Sequence, residues 1–418
     1  MTDREIDSRG EQAERLLTPD LLRGFGTLLV VLTNVPLILT PIRYQLVAGR
    51  NPFPGDLTDD LAVAVFLAVP TMTGMGMFVL AMGPGLADLL QGPGGHRRTA
   101  RRLVVLGMLG LLHGLLVWWG DVLFYYLLAG LVALQFRHRP PRAQLAIGIS
   151  ITLLPLILTV ADASARGGVV RPEITEALSS AASMYESLGD RALSAYTSQD
   201  LAAVSGQRLV DWVTYAEDFA LIGGVQLAGL FLVGIALARL RREDGLHGRF
   251  ARAALGLSSA IALGAYAFQL SIQLFLPTDT GVLSALAGCC QVAAPPALAV
   301  VIYLFLSRNE SRLARIRALT WFAVAGRYSL SIYLSTSVLC AGLAYGLALY
   351  SRVPFALSMV IALVIHGTLV LACQVLARRG LSGPVERMYR VLAPSAPRPR
   401  TSDRELTAGR NPTTDHER

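Results

Sequence analysis

About ten apolar segments follow one another along the 418-residue chain, each close to the roughly 20 residues that an α-helix needs to cross a lipid bilayer. We expect these helices at about 21–42, 61–82, 102–119, 121–136, 143–161, 219–240, 252–276, 282–306, 321–350 and 353–377. Only helices and closed barrels satisfy their backbone inside lipid, so the pattern predicts an all-α polytopic membrane helix bundle. The charged fraction of 16% is typical of the same class.

The domain organisation predicted from this pattern is a single bundle at 19–392 between two tails. Residues 1–18 form the N-terminal tail, and residues 393–418, rich in Pro, Arg and Thr, are expected to be disordered. The one long connection, about 162–218, has the composition of two short amphipathic helices, around 173–188 and 193–215, or of a poorly ordered linker in its first half.

Arginine clusters alternate along the chain with connections that hold one arginine between them, Arg352. The clusters lie in the loops that follow the second, fourth, sixth and eighth segments, and the positive-inside rule places those loops in the cytoplasm. With an even number of helices, both termini are then cytoplasmic. The net charge of +8 is explained by this topology, so we do not expect a nucleic-acid partner. The expected setting is the lipid bilayer of a bacterial inner membrane.

One apolar stretch, 107–130, carries a histidine and a carboxylate, which are costly in a membrane and mark functional sites. His113 is either the base of a reaction or a structural histidine with a satisfied partner. Asp121 lies about 12 Å from His113 along a straight helix at 1.5 Å per residue, which predicts no direct bond between them. A bridging substrate, a water chain or a break at Gly120 would be needed to connect them. For Trp118, interfacial anchoring in the aromatic belt is the favoured interpretation.

A polar face is predicted on the first helix, where Asp20, Arg23 and Asn34 recur at helical spacing and should point into the bundle. The alternative is structural: an interfacial ion pair between Asp20 and Arg23, and an interhelical hydrogen bond from Asn34. Arg23 and Arg327 match the geometry of phosphate and could hold a phosphorylated ligand, with Ser331 beside Arg327; the alternative is that both are ordinary positive-inside anchors.

Further polar residues in the predicted outer half suggest an outward-facing cavity with walls from the first, seventh and ninth helices. Its candidate acceptor-binding residues are Trp118, Tyr126, Gln269, Gln273 and Tyr333. The four cysteines lie in apolar segments without metal-ligand spacing, so no metal site is expected.

Several motifs occur together in one order: Pro19-Asp20-Leu-Leu-Arg23-Gly24-Phe, Asn34, His113-Gly-Leu-Leu-Val-Trp118-Trp-Gly120-Asp121, Gly326-Arg327-Tyr-Ser-Leu-Ser331-Ile-Tyr333 and Gly383-Pro384-Val-Glu386-Arg. In this order they resemble the YeiB-like family, domain of unknown function 418, over nearly the whole chain. That family is distantly similar to membrane acyltransferases of the heparan-glucosaminide acetyltransferase type, whose first helix carries a similar Asp-x-x-Arg-Gly and a later Asn.

The resemblance implies transfer of an acyl group from cytoplasmic acyl-coenzyme A to a small-molecule, lipid or glycan acceptor at the outer face. Acyl-coenzyme A would be a co-substrate, with no tightly bound cofactor. His113 would then act as general base and Asp121 would orient the acceptor or stabilise charge, while Asn34 would donate to the oxyanion. Two alternatives are a transporter of a small metabolite or natural product, and a structural or regulatory protein without turnover; the oligomeric state is not encoded in any pattern that we recognise.

Overall fold

The chain folds into an all-α multi-pass membrane bundle, as predicted from its apolar segments. The computed structural model describes residues 17–48, 57–68, 71–91, 94–165, 172–243, 249–275 and 281–394, and no strand occurs among them. The predicted tails lie outside these residues, apart from 17–18 and 393–394. Within the described part, nine helical stretches are long and apolar enough to cross a membrane, and Leu123–Gln135 is a shorter apolar helix.

The helices are α1 (Leu17–Leu39), α2 (Ile42–Val47), α3 (Leu57–Ala68), α4 (Thr71–Gln91), α5 (Gly95–Leu116), α6 (Leu123–Gln135), α7 (Pro141–Ala165), α8 (Pro172–Thr197), α9 (Leu201–Phe219), α10 (Val225–Arg242), α11 (Arg249–Phe275), α12 (Gly281–Arg308), α13 (Glu310–Leu313), α14 (Arg317–Arg327), α15 (Ser329–Ala341), α16 (Phe355–Arg378) and α17 (Pro384–Leu392). Short π-helical turns follow α9 at Ala220–Gly224 and α15 at Gly342–Gly346. Two helices, α8 and α9, therefore occupy the long connection where two short helices were one of the predictions.

The centre of the bundle is α10, of which 14 of 18 residues are buried. It packs against α4, α6 and α7, and glycines bring the backbones together. A Cβ built on Gly83 would overlap the backbone of Gly234, and one on Gly229 would overlap Thr152 and the backbone of Gly148. Small residues at such crossings give the close van der Waals packing that replaces the hydrophobic effect inside lipid.

The first helix, α1, forms a second packing centre with α4, α14, α15 and α16. Its predicted inward face is confirmed, since Asp20 and Asn34 are 6% and 3% exposed. Gly24 of α1 and Gly326 of α14 cross so closely that a Cβ on Gly326 would overlap the carbonyl oxygen of Asp20.

The ninth predicted helix, 321–350, is not continuous. It breaks at Tyr328 between α14 and α15, and its last turn before residue 347 is π-helical. Tyr328 leaves the helix with φ −108° and ψ 17°, and its hydroxyl donates to the carbonyl oxygen of Leu381 beyond α16. The break lets α14 follow α1, while α15 turns toward the residues after α5.

Candidate functional site

The polar stretch at 107–130 forms a helical hairpin, as the two predicted helices 102–119 and 121–136 indicate. Helix α5 ends at Leu116, the chain reverses through residues 117–122, and α6 begins at Leu123. The reversal begins with the backbone amide of Trp118, which donates to the carbonyl oxygen of His113 at 3.0 Å. This turn brings Asp121 back beside the last turns of α5.

His113 and Asp121 are consequently bonded directly, and the prediction that they are not was wrong. His113 Nδ1 lies 2.8 Å from Asp121 Oδ2, with the two side chains 2% and 0% exposed. The error came from measuring along a straight helix axis a separation that the chain reversal closes. Glycines make the approach possible, since a Cβ on Gly110 would overlap Asp121 Oδ1 and one on Gly114 would lie 3.5 Å from the Asp121 Cβ.

Asp121 accepts three hydrogen bonds, which is the arrangement expected of a buried carboxylate. Besides His113, the backbone amide of Phe124 donates to Oδ1 at 3.0 Å and the hydroxyl of Tyr333 donates to Oδ2 at 3.3 Å. With the carboxylate ionised and the imidazole neutral, the ring proton lies on Nδ1 and Nε2 retains its lone pair. His113 Nε2 is buried and has no hydrogen-bond partner in the part of the chain that the structure describes.

Trp118 is buried at 1% exposure and does not reach the exterior, so the prediction of an interfacial anchor was wrong. Its ring lies edge-on to that of His113, at a centroid distance of 6.5 Å, and tilted against Trp119 at 5.4 Å. The indole nitrogen of Trp118 is also buried without a hydrogen-bond partner among the described residues.

Helices α8 and α9 cover this hairpin and hold it in place. Arg208, 7% exposed, donates to the carbonyl oxygen of Leu116 at 2.7 Å, at the end of α5 where a cation also favours the helix dipole. Trp212 fills the space that Gly114 leaves beside α5.

A polar network around the buried Arg43 joins α2 to the same covering helices. Arg43 lies 3.1 Å from Asp218 Oδ2 and places its guanidinium 4.5 Å from the ring centroid of Trp119. Burial, followed by its hydrogen bond to Asp218, raises the pKa of Tyr185 to about 12, so that phenol is a neutral donor at ordinary pH. Since the network is made of paired groups, we assign it a structural role.

A cavity of about 940 Å³ extends from the arginine-rich end of the bundle to the hairpin. Four arginines line it at that end: Arg23, Arg98, Arg102 and Arg327. Farther in, its lining residues are mostly apolar and come from α1, α4, α5, α6 and α15: Val30, Phe78, Met82, Leu103, Leu106, Leu123 and Leu330. Tyr126 and Tyr333 line the part next to Asp121.

The predicted outward-facing cavity is thus replaced by one that reaches the arginine-rich end. No lining residue comes from the seventh predicted helix, now α11; Gln269 is buried there at 5% exposure, away from the cavity, and the side chain of Gln273 lies outside the described residues. Asn34 is buried on α1 but does not line the cavity either. The predicted cavity residue Trp118 is also absent from the lining, and His113 and Asp121 lie behind Tyr333.

Of the predicted donor-binding residues, Arg23 and Arg327 do line the cavity. Arg23 also donates to the carbonyl oxygen of Ala81 at 3.0 Å. Ser331 does not line it, because Glu386 of α17 accepts hydrogen bonds from both its hydroxyl and its backbone amide. The predicted contact of Ser331 with a donor is therefore not seen, and its role here is to fix α17 across the arginine-rich end.

Sequence reasoning treated Arg98 and Arg102 only as topology signals. Their spacing of four residues places both on one face of α5, which is the signal that could have identified them. Tyr389 of α17 lies 5.5 Å from the guanidinium of Arg102 and donates to its carbonyl oxygen at 3.0 Å. Burial raises the pKa of Tyr389, which keeps this phenol protonated as a donor.

The chain is similar to known proteins over most of its length. Residues 236–395 match the model of a family described as "Protein of unknown function (DUF418)". The chain is 27% identical over 423 residues to "Uncharacterized protein YeiB" of Escherichia coli (strain K12), covering 93% of this chain and 99% of YeiB. The predicted YeiB-like, DUF418 relationship is confirmed.

A second relative extends this similarity to another bacterium. "Uncharacterized protein YxaH" of Bacillus subtilis (strain 168) is 25% identical over 405 residues, which cover 90% of this chain and 94% of YxaH. No solved structure matches the chain. Since both similarities extend over nearly the full length, they include the hairpin with His113 and Asp121 as well as the region of the family model.

Proposed function

We propose that this protein is a membrane acyltransferase of the bacterial inner membrane, which takes an acyl group from acyl-coenzyme A on the cytoplasmic side. One observation carries the proposal: a single cavity connects four arginines at one end to Tyr333, the phenol bonded to the buried Asp121–His113 pair, at the other. The resemblance to membrane acyltransferases supports it, as does the bacterial origin of both relatives.

The arginine end suits the phosphates of the donor. Guanidinium groups form paired, charge-assisted hydrogen bonds with phosphate oxygens. Two carboxylates, Asp88 and Glu386, line the cavity beside the four arginines; Asp88 is paired with Arg242, and Glu386 accepts from Ser331. Arg23 is paired with Asp20 at 3.4 Å, and the lining as a whole keeps an excess of positive charge. In the orientation predicted from the positive-inside rule, this end faces the cytoplasm, where acyl-coenzyme A is made.

The length of the cavity suits a donor that reaches inward. Arg102 and His113 are eleven residues apart on α5, which corresponds to about 16 Å along the helix at 1.5 Å per residue. The apolar walls between them would accommodate the thioester arm and the acyl chain. Tyr333 lines the inner part, with its ring centroid 5.2 Å from that of His113. Its hydroxyl donates to Asp121, so we assign it the role of linking the buried pair to the cavity.

The chemistry assigned to the pair is general acid–base catalysis. His113 Nε2 takes the proton from the acceptor as its oxygen or nitrogen attacks the thioester carbonyl carbon. The carbon–sulfur bond breaks, and the imidazolium returns its proton to the departing thiolate. Asp121 keeps Nδ1 protonated and stabilises the imidazolium while it exists.

The direct test uses the purified full-length protein with radiolabelled acetyl- and longer acyl-coenzyme A, followed for release of coenzyme A and for labelled acceptor in membranes. We expect both to appear together. Absence of donor binding and of release would overturn the proposal, whereas flux of a solute into proteoliposomes without a donor would favour a transporter.

Removal of cavity arginines should raise the Kd for the donor by a larger factor than it lowers kcat. We expect the Arg98→Gln/Arg327→Gln double variant to raise the Kd for coenzyme A at least tenfold, because each lost charge-assisted hydrogen bond is worth about 1.5–3 kcal/mol. Isothermal titration calorimetry at two salt concentrations measures the change. The matched control is Arg312→Gln/Arg315→Gln, which removes the same charge from exposed residues outside the cavity lining; equal weakening by both would exclude specific phosphate contacts.

A further inference from the structure

Two buried nitrogens beside the hairpin lack hydrogen-bond partners, His113 Nε2 and Trp118 Nε1. Both residues are more than nine-tenths buried, at 4% and 1% exposure, and their rings pack edge-to-face. Buried polar groups are almost always hydrogen-bonded, because an unpaired one costs about 1–3 kcal/mol. Two such groups on neighbouring rings therefore indicate a polar ligand that serves both.

The chemistry of the two nitrogens is complementary. The bond from His113 Nδ1 to Asp121 leaves Nε2 as an acceptor, and an indole N–H is a donor only. Their common ligand must donate one hydrogen and accept another. We infer that His113 and Trp118 together bind an O–H group, either water or the hydroxyl of an alcohol acceptor.

If the proposed acyl transfer is correct, the number of lone pairs on the attacking atom distinguishes a hydroxyl from an amine at this site. A hydroxyl oxygen has two lone pairs, so it can accept from Trp118 with one and attack the thioester with the other while His113 takes its proton. A neutral amine has a single lone pair, which the indole N–H would occupy. The arrangement thus selects oxygen acceptors and would form esters, or free acid when the O–H group is water.

Surrounding contacts fix the two rings relative to each other. The Trp118 ring lies against Gly120, where a Cβ would overlap its six-membered ring. His113, on the last turn of α5, is held by Asp121, the residue after Gly120, so both rings are fixed by contacts with the same turn. The two nitrogens keep this arrangement whichever end of the cavity the acceptor enters from.

A competition assay tests the selectivity. The full-length protein in nanodiscs is given acetyl-coenzyme A with 1-hexanol and hexylamine, which share one carbon skeleton. The amount of each product is divided by the concentration of the uncharged form of its acceptor. We expect hexyl acetate or acetate to dominate over the amide, and Trp118→Phe to reduce oxygen acylation roughly tenfold, as for one lost hydrogen bond. The binding of coenzyme A should not change, and Trp119→Phe, which removes a neighbouring buried indole, should retain most of the activity.

Formation of the amide at an equal or higher rate would overturn the inference while leaving acyl transfer intact. If the wild type consumes no thioester with any acceptor, the proposed function fails. The existence of the O–H site is then tested separately, by an experimental structure. A map that resolves ordered waters should show an oxygen within about 3.2 Å of both nitrogens, lost in Trp118→Phe. Absence of that oxygen from the wild-type map would refute the site independently of turnover.

Discussion

Replacing His113 with alanine should reduce acyl transfer by about 100- to 10,000-fold, the usual contribution of a positioned acid–base group. Of the two ring nitrogens of His113, only Nε2 is free to take a proton from the acceptor, since Nδ1 is bonded to Asp121 at 2.8 Å. Asp121→Asn should cause a comparable loss, because an amide neither holds the required tautomer nor stabilises an imidazolium. Both are measured as kcat with labelled acyl-coenzyme A.

A second buried histidine supplies the control. His366 on α16 is 7% exposed and has an Nδ1 atom without a hydrogen-bond partner among the described residues. Neither histidine lines the cavity itself, but His113 is connected to it through Asp121 and Tyr333. We expect His366→Ala to retain most of the kcat. A loss equal to that of His113→Ala, or undiminished turnover in His113→Ala, would contradict the assigned role; the Kd for coenzyme A should stay near the wild-type value in all three variants.

Gly326→Ala should destabilise the folded bundle by about 3 kcal/mol, the upper part of the range for overpacking in a core. The added methyl group would overlap the carbonyl oxygen of Asp20, and backbone atoms cannot move aside as a flexible side chain can. Gly24 has the same relation to the carbonyl oxygen of Phe322. The loss should appear as a lower apparent Tm and a smaller monodisperse fraction in detergent.

Glycine in a helix without close neighbours gives the matched comparison. Gly264 lies on α11 with nothing within 4 Å of a built Cβ. Alanine there should leave stability unchanged or raise it slightly, since alanine favours a helix over glycine by up to about 1 kcal/mol. If Gly264→Ala and Gly326→Ala behaved alike, the close crossing of α1 and α14 would not be the determinant of stability that the packing indicates.

The hairpin shows where prediction from sequence fails. The residues His113 and Asp121 were identified correctly as costly groups in apolar sequence, but their relation was not. Their eight-residue separation was converted to distance along one straight axis, whereas the chain turns back after Leu116. A short turn between two apolar segments carries little hydrophobic signal, so its path depends on packing against α8, α9 and α15.

The cavity illustrates the same limit. Arg23 and Arg327 were placed together on chemical grounds, and both line it, but Gln269 and Asn34 do not. Periodicity identifies which face of a helix is buried without specifying the neighbour that buries it. The break at Tyr328, which sends α14 and α15 in different directions, follows Gly326 and Arg327 inside one predicted helix, and average hydropathy does not separate the two parts.

The sequence by itself determined that this is an all-α membrane bundle, where its crossings lie and which side chains are unusual within them. Those properties are local, because the bilayer imposes a fixed length of apolar helix and a bias on the flanking arginines. Only the tertiary structure decided which residues meet: Tyr333 reaches Asp121 across 212 positions of the chain. Such a contact depends on glycine crossings, a chain reversal and a helix break acting together, since their geometry is fixed only when all the helices are packed.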